Sequence, residues 1–366
     1  MGFLDLKHET VGLDIGDSSV KIAKLKKTRR GFKFESFNST RIAPGIVENG
    51  IIKNEDSLAK IIKFLLETAK GKKIKTKYIV ASLPEEKSFL HIIPVPEMSF
   101  QELKLAVPLE AENYIPMSAD DLYLDFEPIS PVKNYLGHTE VLAAAIPKNI
   151  SDSYVSCIMK AGLVPAVLEL ESQAISRALL ESGENPSLKV FVDFGENDTI
   201  FLIYSGYSLR FSCTISISSK MLDQAISDAL KVDIKEAERI KTEYGLIPKK
   251  NSSKSEKSAK AMMPIIEDLT RQIEKYLDFY KDHSSYEYLL KDKTDGRVFV
   301  CGGGAQLKGL VEFMANKMEM PVEMADPLVN IHSNRKSNEV RKDALGFTTA
   351  IGLALRQLEN NIDQDL

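Results

Sequence analysis

The chain has 366 residues, 43% hydrophobic and 27% charged, with a formal net charge of −4. That length exceeds one hydrophobic core and favours two domains, and nothing in the slightly acidic balance predicts general nucleic-acid binding, which usually shows as a basic domain. No apolar run approaches the roughly 20 residues that cross a bilayer, so a cytoplasmic protein with no direct membrane insertion is expected.

The opening Met1-Gly2-Phe3-Leu4-Asp5-Leu6-Lys7 lacks the basic and apolar regions of a secretory signal. Residues 11–14 and 20–25 then read as two β-rich runs around a Gly/Ser turn, and 32–37 as a third antiparallel strand. Leu58, Ile61, Ile62, Leu65 and Leu66 recur at helical spacing across 57–68, and 78–83 follows as a strand. Residues 84–165, bounded by Pro84 and Pro165, carry their own pattern and read as an inserted subdomain: strand 89–95, helix 100–114, strands 122–127 and 140–147, helix 150–161.

The opening order then returns. Residues 190–193 and 199–204 flank another Gly-containing turn, 209–217 is the third strand and 221–230 the helix after it. A repeat this long indicates duplicated domains whose turns meet across a cleft, not a stacked array. A second insertion starts near 237–244, and the polar stretch 251–260 reads as a loop. Behind it Met262, Ile265, Ile266, Leu269, Ile273, Tyr276, Leu277 and Tyr280 form one apolar helix face, taken as core. Cys157, Cys213 and Cys301 form no C-x-x-C pair and read as buried thiols in a reducing compartment.

Phosphate binding needs close-approaching backbone donors plus a cation, or a metal whose water shell carboxylates hold. Asp14-Ile15-Gly16-Asp17-Ser18-Ser19-Val20-Lys21 supplies these in a strand-turn-strand setting. Gly16 admits the backbone, Ser18 and Ser19 add donors, Lys21 reaches a terminal phosphate, and Asp14 holds Mg²⁺ through water. One D-x-G turn is weak evidence, because hairpins use the same residues without any ligand. Asp193-Phe194-Gly195-Glu196-Asn197-Asp198-Thr199 repeats the design, with Asp193 as its metal-facing carboxylate and Gly195 and Thr199 at the turn. Residues 298–301 run into Gly302, Gly303 and Gly304, where backbone can lie flat against an adenosine and a following helix can point its N-terminus at the ligand.

These segments resemble the phosphate 1, phosphate 2 and adenosine motifs of the actin, DnaK-type chaperone and sugar kinase superfamily. The resemblance implies that Leu168-Glu169-Leu170-Glu171-Ser172-Gln173-Ala174, before a helix over 175–180, is the first connecting helix, with Glu171, or alternatively Gln173, positioning the attacking water. It implies that Glu238 and Lys241 grip the ribose. Residues 107–117, followed by Leu122-Tyr123-Leu124-Asp125-Phe126, and the helix ending Gly352-Leu353-Ala354-Leu355-Arg356 are similar to the PilM family of type IV pilus assembly.

The resemblance implies an α/β fold of duplicated actin-like, ribonuclease H-like domains with an FtsA-like inserted subdomain and a nucleotide cleft between the halves. The expected subdomains are 1–83 with 166–188, the insertion 84–165, 189–232 with 296–343, 233–295, and a returning helix over 344–366. ATP and Mg²⁺ are the implied ligands, with at most slow hydrolysis, since Glu196, Asp198 and Ile217-Ser218-Ser219-Lys220 depart from the phosphate 2 pattern. The implied partner is the N-terminal cytoplasmic peptide of a PilN-like inner-membrane protein, which would tether the chain to the inner face of the membrane; self-association stays open. Ser82, Leu83 and Pro84 are expected at the peptide's groove. An FtsA-like division protein should end in a basic amphipathic helix, whereas Leu358-Glu359-Asn360-Asn361-Ile362-Asp363-Gln364-Asp365-Leu366 is acidic. A small-molecule kinase needs a catalytic aspartate, for which no separate motif appears.

Overall fold

Aliphatic and β-branched strands followed by Gly turns open each of two units, one formed by residues 1–184 and 327–366, the other by 185–326. The computed structural model describes residues 9–29, 31–129, 138–181, 187–283, 296–318, 320–332 and 343–359. The opening seven residues and 360–366 of the acidic ending lie outside them.

In the first unit, β1 (Thr10–Ile15), β2 (Ser19–Thr28) and β3 (Gly31–Arg41) pair antiparallel in succession. The short hairpin β4 (Val47–Glu48) and β5 (Ile51–Ile52) leads into α1 (Glu55–Glu67). Asn54 starts that helix by accepting the Ser57 N–H at 2.9 Å, and Glu55 and Asp56 complement its positive end. β6 (Lys70–Gly71) extends the edge at β3, and β7 (Tyr78–Leu83) lies parallel to β1.

The insertion follows. β8 (Phe89–Pro96), β9 (Leu122–Pro128) and β10 (His138–Pro147) form a separate sheet in the order β8-β10-β9, and α2 (Phe100–Ala111) covers one face. Leu103, Val107 and Ala111 of the helix pack on Ile93, Val95, Val141 and Ala143. A reciprocal cap between Ser99 and Glu102 starts α2. It ends at Ala111, short of the expected 114, because beyond Pro108 the Asn113 and Tyr114 N–H groups make tighter bonds to Glu110 and Ala111.

α3 (Lys148–Lys160), β11 (Val164–Leu170) and α4 (Glu171–Leu179) complete this half. The sequence places α3 inside the insertion. Its Ile150, Tyr154, Cys157 and Ile158 instead join Leu58, Ile62 and Leu65 of α1 in the core beneath β1 and β2. Full burial of each such aliphatic side chain stabilises by about 1.5–3 kcal/mol. The main sheet runs β11-β7-β1-β2-β3-β6.

The second unit repeats this plan. β12 (Lys189–Phe194), β13 (Thr199–Ser205) and β14 (Ser208–Ile215) are antiparallel; α5 (Ser219–Leu230), α6 (Ile234–Tyr244) and α7 (Ser253–His283) follow. β15 (Arg297–Cys301) joins β12 in parallel, then α8 (Leu310–Lys317) leads to β16 (Val322–Met324), parallel to β15. The order β14-β13-β12-β15-β16 matches β3-β2-β1-β7-β11 strand for strand and sense for sense. The expected loop over 251–260 is corrected: α7 starts at Ser253. Ser252 caps it through the Ser255 N–H at 3.2 Å, Ser255 Oγ takes the Lys249 N–H at 2.9 Å, and Ser258 Oγ donates to Ser255 O at 2.9 Å. Serines whose polar atoms are satisfied locally can be buried, so low hydropathy misleads there. On the predicted face Met262, Ile266, Leu269, Ile273 and Leu277 are buried, while Ile265, Tyr276 and Tyr280 are half-buried. Cys157 and Cys301 are buried, but Cys213 is half-buried on β14.

The chain re-enters the first unit at Pro327, earlier than the 344 expected from sequence. There the His332 N–H donates to Phe32 O at 2.7 Å and Ile331 packs beside Phe32. α9 (Thr348–Glu359) then covers the opposite face of the main sheet from α1 and α3, burying Ala350, Ile351, Ala354 and Leu355. It crosses α4 so closely that a Cβ at Gly352 would sit 1.8 Å from Ala174 O.

Candidate functional site

The β1–β2 turn forms because the Gly16 N–H donates to Ser19 O at 3.0 Å, leaving Asp14 opposite Lys21 in register. Lys21 Nζ stands 3.1 Å from Asp14 Oδ2. Ser82 Oγ accepts the Ile15 N–H at 3.4 Å and donates to Asp14 Oδ1 at 3.5 Å, so the buried carboxylate is held from both sides. Ser18 O accepts the Ile42 N–H at 3.0 Å, and Ser18 and Ser19 are half-buried at the turn.

Three residues that the sequence reading passed over complete this corner. Asp17 accepts the Asn49 and Gly50 N–H groups at 2.6 and 3.0 Å. Tyr154, fully buried, donates its phenol to Gly50 O at 3.0 Å. Burial, then the carboxylates of Glu171, Asp17, Asp14 and Glu86, push that phenol well above its ordinary range, so this corner is acidic. Burial also raises the Glu86 carboxyl, with Asp17 adding to the rise and Lys87 opposing it.

Glu171 is the first residue of α4, which therefore begins before the expected 175. Its Oε2 accepts the Glu85 N–H at 3.1 Å, while Glu85 Oε2 accepts the Ser172 N–H at 3.0 Å. This reciprocal clasp ties the exit of β7 to the start of α4. Gln173, the alternative, caps the same helix by accepting the Leu170 N–H at 3.3 Å. Of the two, Glu171 shares the acidic corner with Asp14.

The second unit reproduces the turn, with the Gly195 N–H donating to Asp198 O at 2.9 Å and Thr199 opposite Phe194. Thr199 Oγ1 donates to Ile217 O at 2.5 Å. The first N–H groups of α5, on Ser219 and Lys220, are committed to Gly195 O and Glu196 O at 3.0 and 3.1 Å. Asp193 lies beside the glycines: a Cβ on Gly302, whose φ is +83°, would stand 2.1 Å from Asp193 Oδ1. Gly304 packs on Phe194, where a Cβ would stand 2.5 Å from the ring, while the space beside Gly303 is open. The helix expected directly after these glycines is corrected to a 3-10 turn, Gly303–Gln306, with α8 starting only at Leu310.

Glu238 and Lys241 lie on α6. Lys241 Nζ bonds Asp223 Oδ2 and Ser219 Oγ at 2.7 Å each and Ser219 O at 3.1 Å, so the ammonium clamps α6 onto the start of α5. Burial raises the Asp223 carboxyl, Lys241 opposes that rise, and Glu238 and Glu196 add to it.

A separate groove of about 240 Å³ opens within the first unit, between the insertion and β11. On β9 the alternation sends Leu122, Leu124 and Phe126 to the insertion's core, while Tyr123, Asp125 and Glu127 line the groove with Leu142 and Ala144 of β10. The other wall is Leu168, Glu169 and Leu170 with Gln173 and, from α9, Arg356. Leu83 lines it as expected. Ser82 instead faces Asp14, and Pro84 lies against Gly50.

Comparison with known proteins decides the family. The profile described as type IV pilus assembly protein PilM matches residues 12–358. The chain belongs to that family. It is similar to the solved PilM-PilN type IV pilus biogenesis complex, at 26% identity and a TM-score of 0.81, over 96% of this chain and 99% of that one. It is also 23% identical to the cell division protein FtsA of Enterococcus faecalis over 87% of this chain and 78% of the relative. MreB5 of Spiroplasma citri bound to ADP has a TM-score of 0.56 at 14% identity, over 97% of this chain and 98% of its own. The fold is that of duplicated actin-like domains. Among the described residues no helix is long and apolar enough to cross a membrane.

Proposed function

We propose that this chain is the ATP-binding component of a type IV pilus assembly platform, held at the inner face of the cytoplasmic membrane by the N-terminal peptide of a PilN-like protein. The observation that carries the nucleotide reading is the pair of matched turns, Gly16 to Ser19 and Gly195 to Asp198, each closing the first hairpin of a repeated sheet in a member of the PilM family. Gly16 admits the phosphates closely, and donors of Ser18 and Ser19 with Lys21 take them from one hairpin; Gly195 and Thr199 serve from the other. Gly302 to Gly304 take the adenosine, with Glu238 and Lys241 at the ribose; the subdomains are those read from sequence, save that α3 packs with the first domain and the chain returns to it at Pro327. Asp14 and Asp193, one carboxylate on each hairpin, would hold Mg²⁺ through the waters that the ion keeps. A bound ion would neutralise phosphate charge; Glu171 orients the attacking water, and hydrolysis is at most slow, with two α5 donors already committed.

The groove supports the partner reading. It lies between two sheets, is apolar along Leu142, Ala144, Leu168 and Leu170, and is also lined by Asp125, Glu127 and Glu169, which suits an extended peptide that gains affinity from a few buried anchors. Titration of the neighbouring membrane protein's N-terminal segment, as a synthetic peptide, against the full chain should give saturable micromolar binding. An absence of binding with and without ATP would favour an FtsA-like role.

A further inference from the structure

The alternation along β9 sends Tyr123, Asp125 and Glu127 to the groove and Leu122, Leu124 and Phe126 to the core beneath α2. The outer surface of α2 therefore lies on the far side of the insertion's sheet from the groove. Leu103, Val107 and Ala111 form the buried stripe of that helix. Its outer stripe is Glu102, Leu105, Leu109 and Glu112, whose spacing of three, four and three residues keeps all four on one face. Leu105 and Leu109 are 75% and 71% exposed, more than any other large apolar side chain among the described residues. One exposed leucine calls for no explanation. Two that adjoin one turn apart, on a helix whose opposite stripe already fills the core, make an apolar contact site.

Charge says what covers it. A glutamate stands at each end of the apolar pair, and Glu102 is fixed there by the helix cap, its Oε2 accepting from the Ser99 N–H and Oγ at 2.7 Å each. Between 97 and 117 the acids are Glu97, Glu102, Glu110 and Glu112, while the base Lys104 is turned over the Phe100 ring, 4.9 Å from its centre. A second copy of this face would set glutamate against glutamate in either direction, and an anionic lipid surface would meet the same carboxylates. The seam has the heptad spacing that another helix fills. We propose that the outer face of α2 docks an amphipathic helix of another protein, whose own stripe carries an apolar pair bracketed by lysine or arginine. The face and the groove lie on opposite sides of one sheet, so this inference stands apart from the nucleotide and peptide readings.

The probe is a fluorescent helical peptide of about 18 residues with two leucines one turn apart and an arginine one turn outside each, used beside a twin that carries glutamate for both arginines. Each is titrated against the full chain as wild type, Leu105→Ser/Leu109→Ser and Glu112→Lys. Glu102 is left in place because it caps α2. The replaced side chains are exposed, so both variants should melt with wild type; if the serine pair melts early, Glu112→Lys carries the comparison. The arginine peptide should saturate wild type with a Kd on the order of 10–100 µM, and the twin should bind about tenfold more weakly or worse. The serine pair should lose binding. Glu112→Lys should weaken the arginine peptide and strengthen the twin, an exchange that a merely sticky surface does not produce. The proposal is overturned if the arginine peptide does not saturate wild type, if the two peptides bind alike, or if binding survives in the serine pair. Sedimentation of wild type alone and with phosphatidylglycerol vesicles covers the other occupants: self-association or vesicle binding that the serine pair loses would give the face to a second copy or to lipid, and would equally overturn the proposal.

Discussion

Asp14 and Glu171 share one acidic corner, yet the proposed function gives them different work. Asp14 is buried, bonded to Lys21 and Ser82 and set at the turn, so Asp14→Ala removes a ground-state contact and should weaken ATP·Mg²⁺ binding about tenfold or more. Glu171→Gln keeps an acceptor for the Glu85 N–H while losing its charge, and a group that only orients water acts on the transition state. Calorimetry paired with a phosphate-release assay should find its affinity within about twofold of wild type and hydrolysis reduced; the reverse pattern would exchange the two roles. A second residue-scale prediction concerns Lys24, which bridges Glu9 and Glu35 at 2.7 and 2.6 Å while Glu35 also holds Lys72 at 3.2 Å. Burial works against both charges. The hydrogen bonds of the pair outweigh it, holding the Glu35 carboxyl below and the Lys24 ammonium above their ordinary ranges. The depressed Glu35 contributes stability that is present above its unfolded value of 4.5 and lost as pH falls through its folded value. The raised Lys24 contributes stability that is complete below 10.5 and lost as pH rises through its folded value. Urea titrations of wild type and Lys24→Met across pH should show the variant's deficit shrinking at both extremes; a deficit independent of pH would mean that packing, not charge, is lost.

Elements whose signal is local were legible in the sequence. Both hairpins follow from β-branched runs around turn residues, and the duplicated order of strands was readable because each repeat carries the same turn chemistry. What escaped was set by partners distant in sequence. Helix α3 was assigned to the insertion because Pro165 follows it, whereas Tyr154 and Cys157 join a core built from β1, β2 and α1. The start of α7 was hidden because its serines bond to one another, and the acidic corner was hidden because Asp17, Glu86 and Tyr154 meet only through the fold. Glycines behave likewise: α9 can lie on α4 only because position 352 has no side chain. Gly352→Ala should therefore lower stability by about 1–3 kcal/mol, read as an earlier midpoint in denaturant, whereas Gly303→Ala, with nothing within 4 Å of its Cβ, should stay close to wild type. Equal effects at the two positions would contradict the close approach of α4 and α9.

For the whole molecule, the two units share one strand order, and family membership joins that duplication to pilus assembly. The central claim is that the paired turns hold a nucleotide. A ligand that binds only the folded state raises its stability by about 2.7 kcal/mol at a hundred times its dissociation constant. The direct measurement is thermal melting of nucleotide-free protein with and without millimolar ATP·Mg²⁺, in wild type and in Asp14→Ala. A clear rise in melting temperature for wild type, reduced or absent in Asp14→Ala, is the predicted result; melting curves that coincide with and without nucleotide in the wild type would contradict the account.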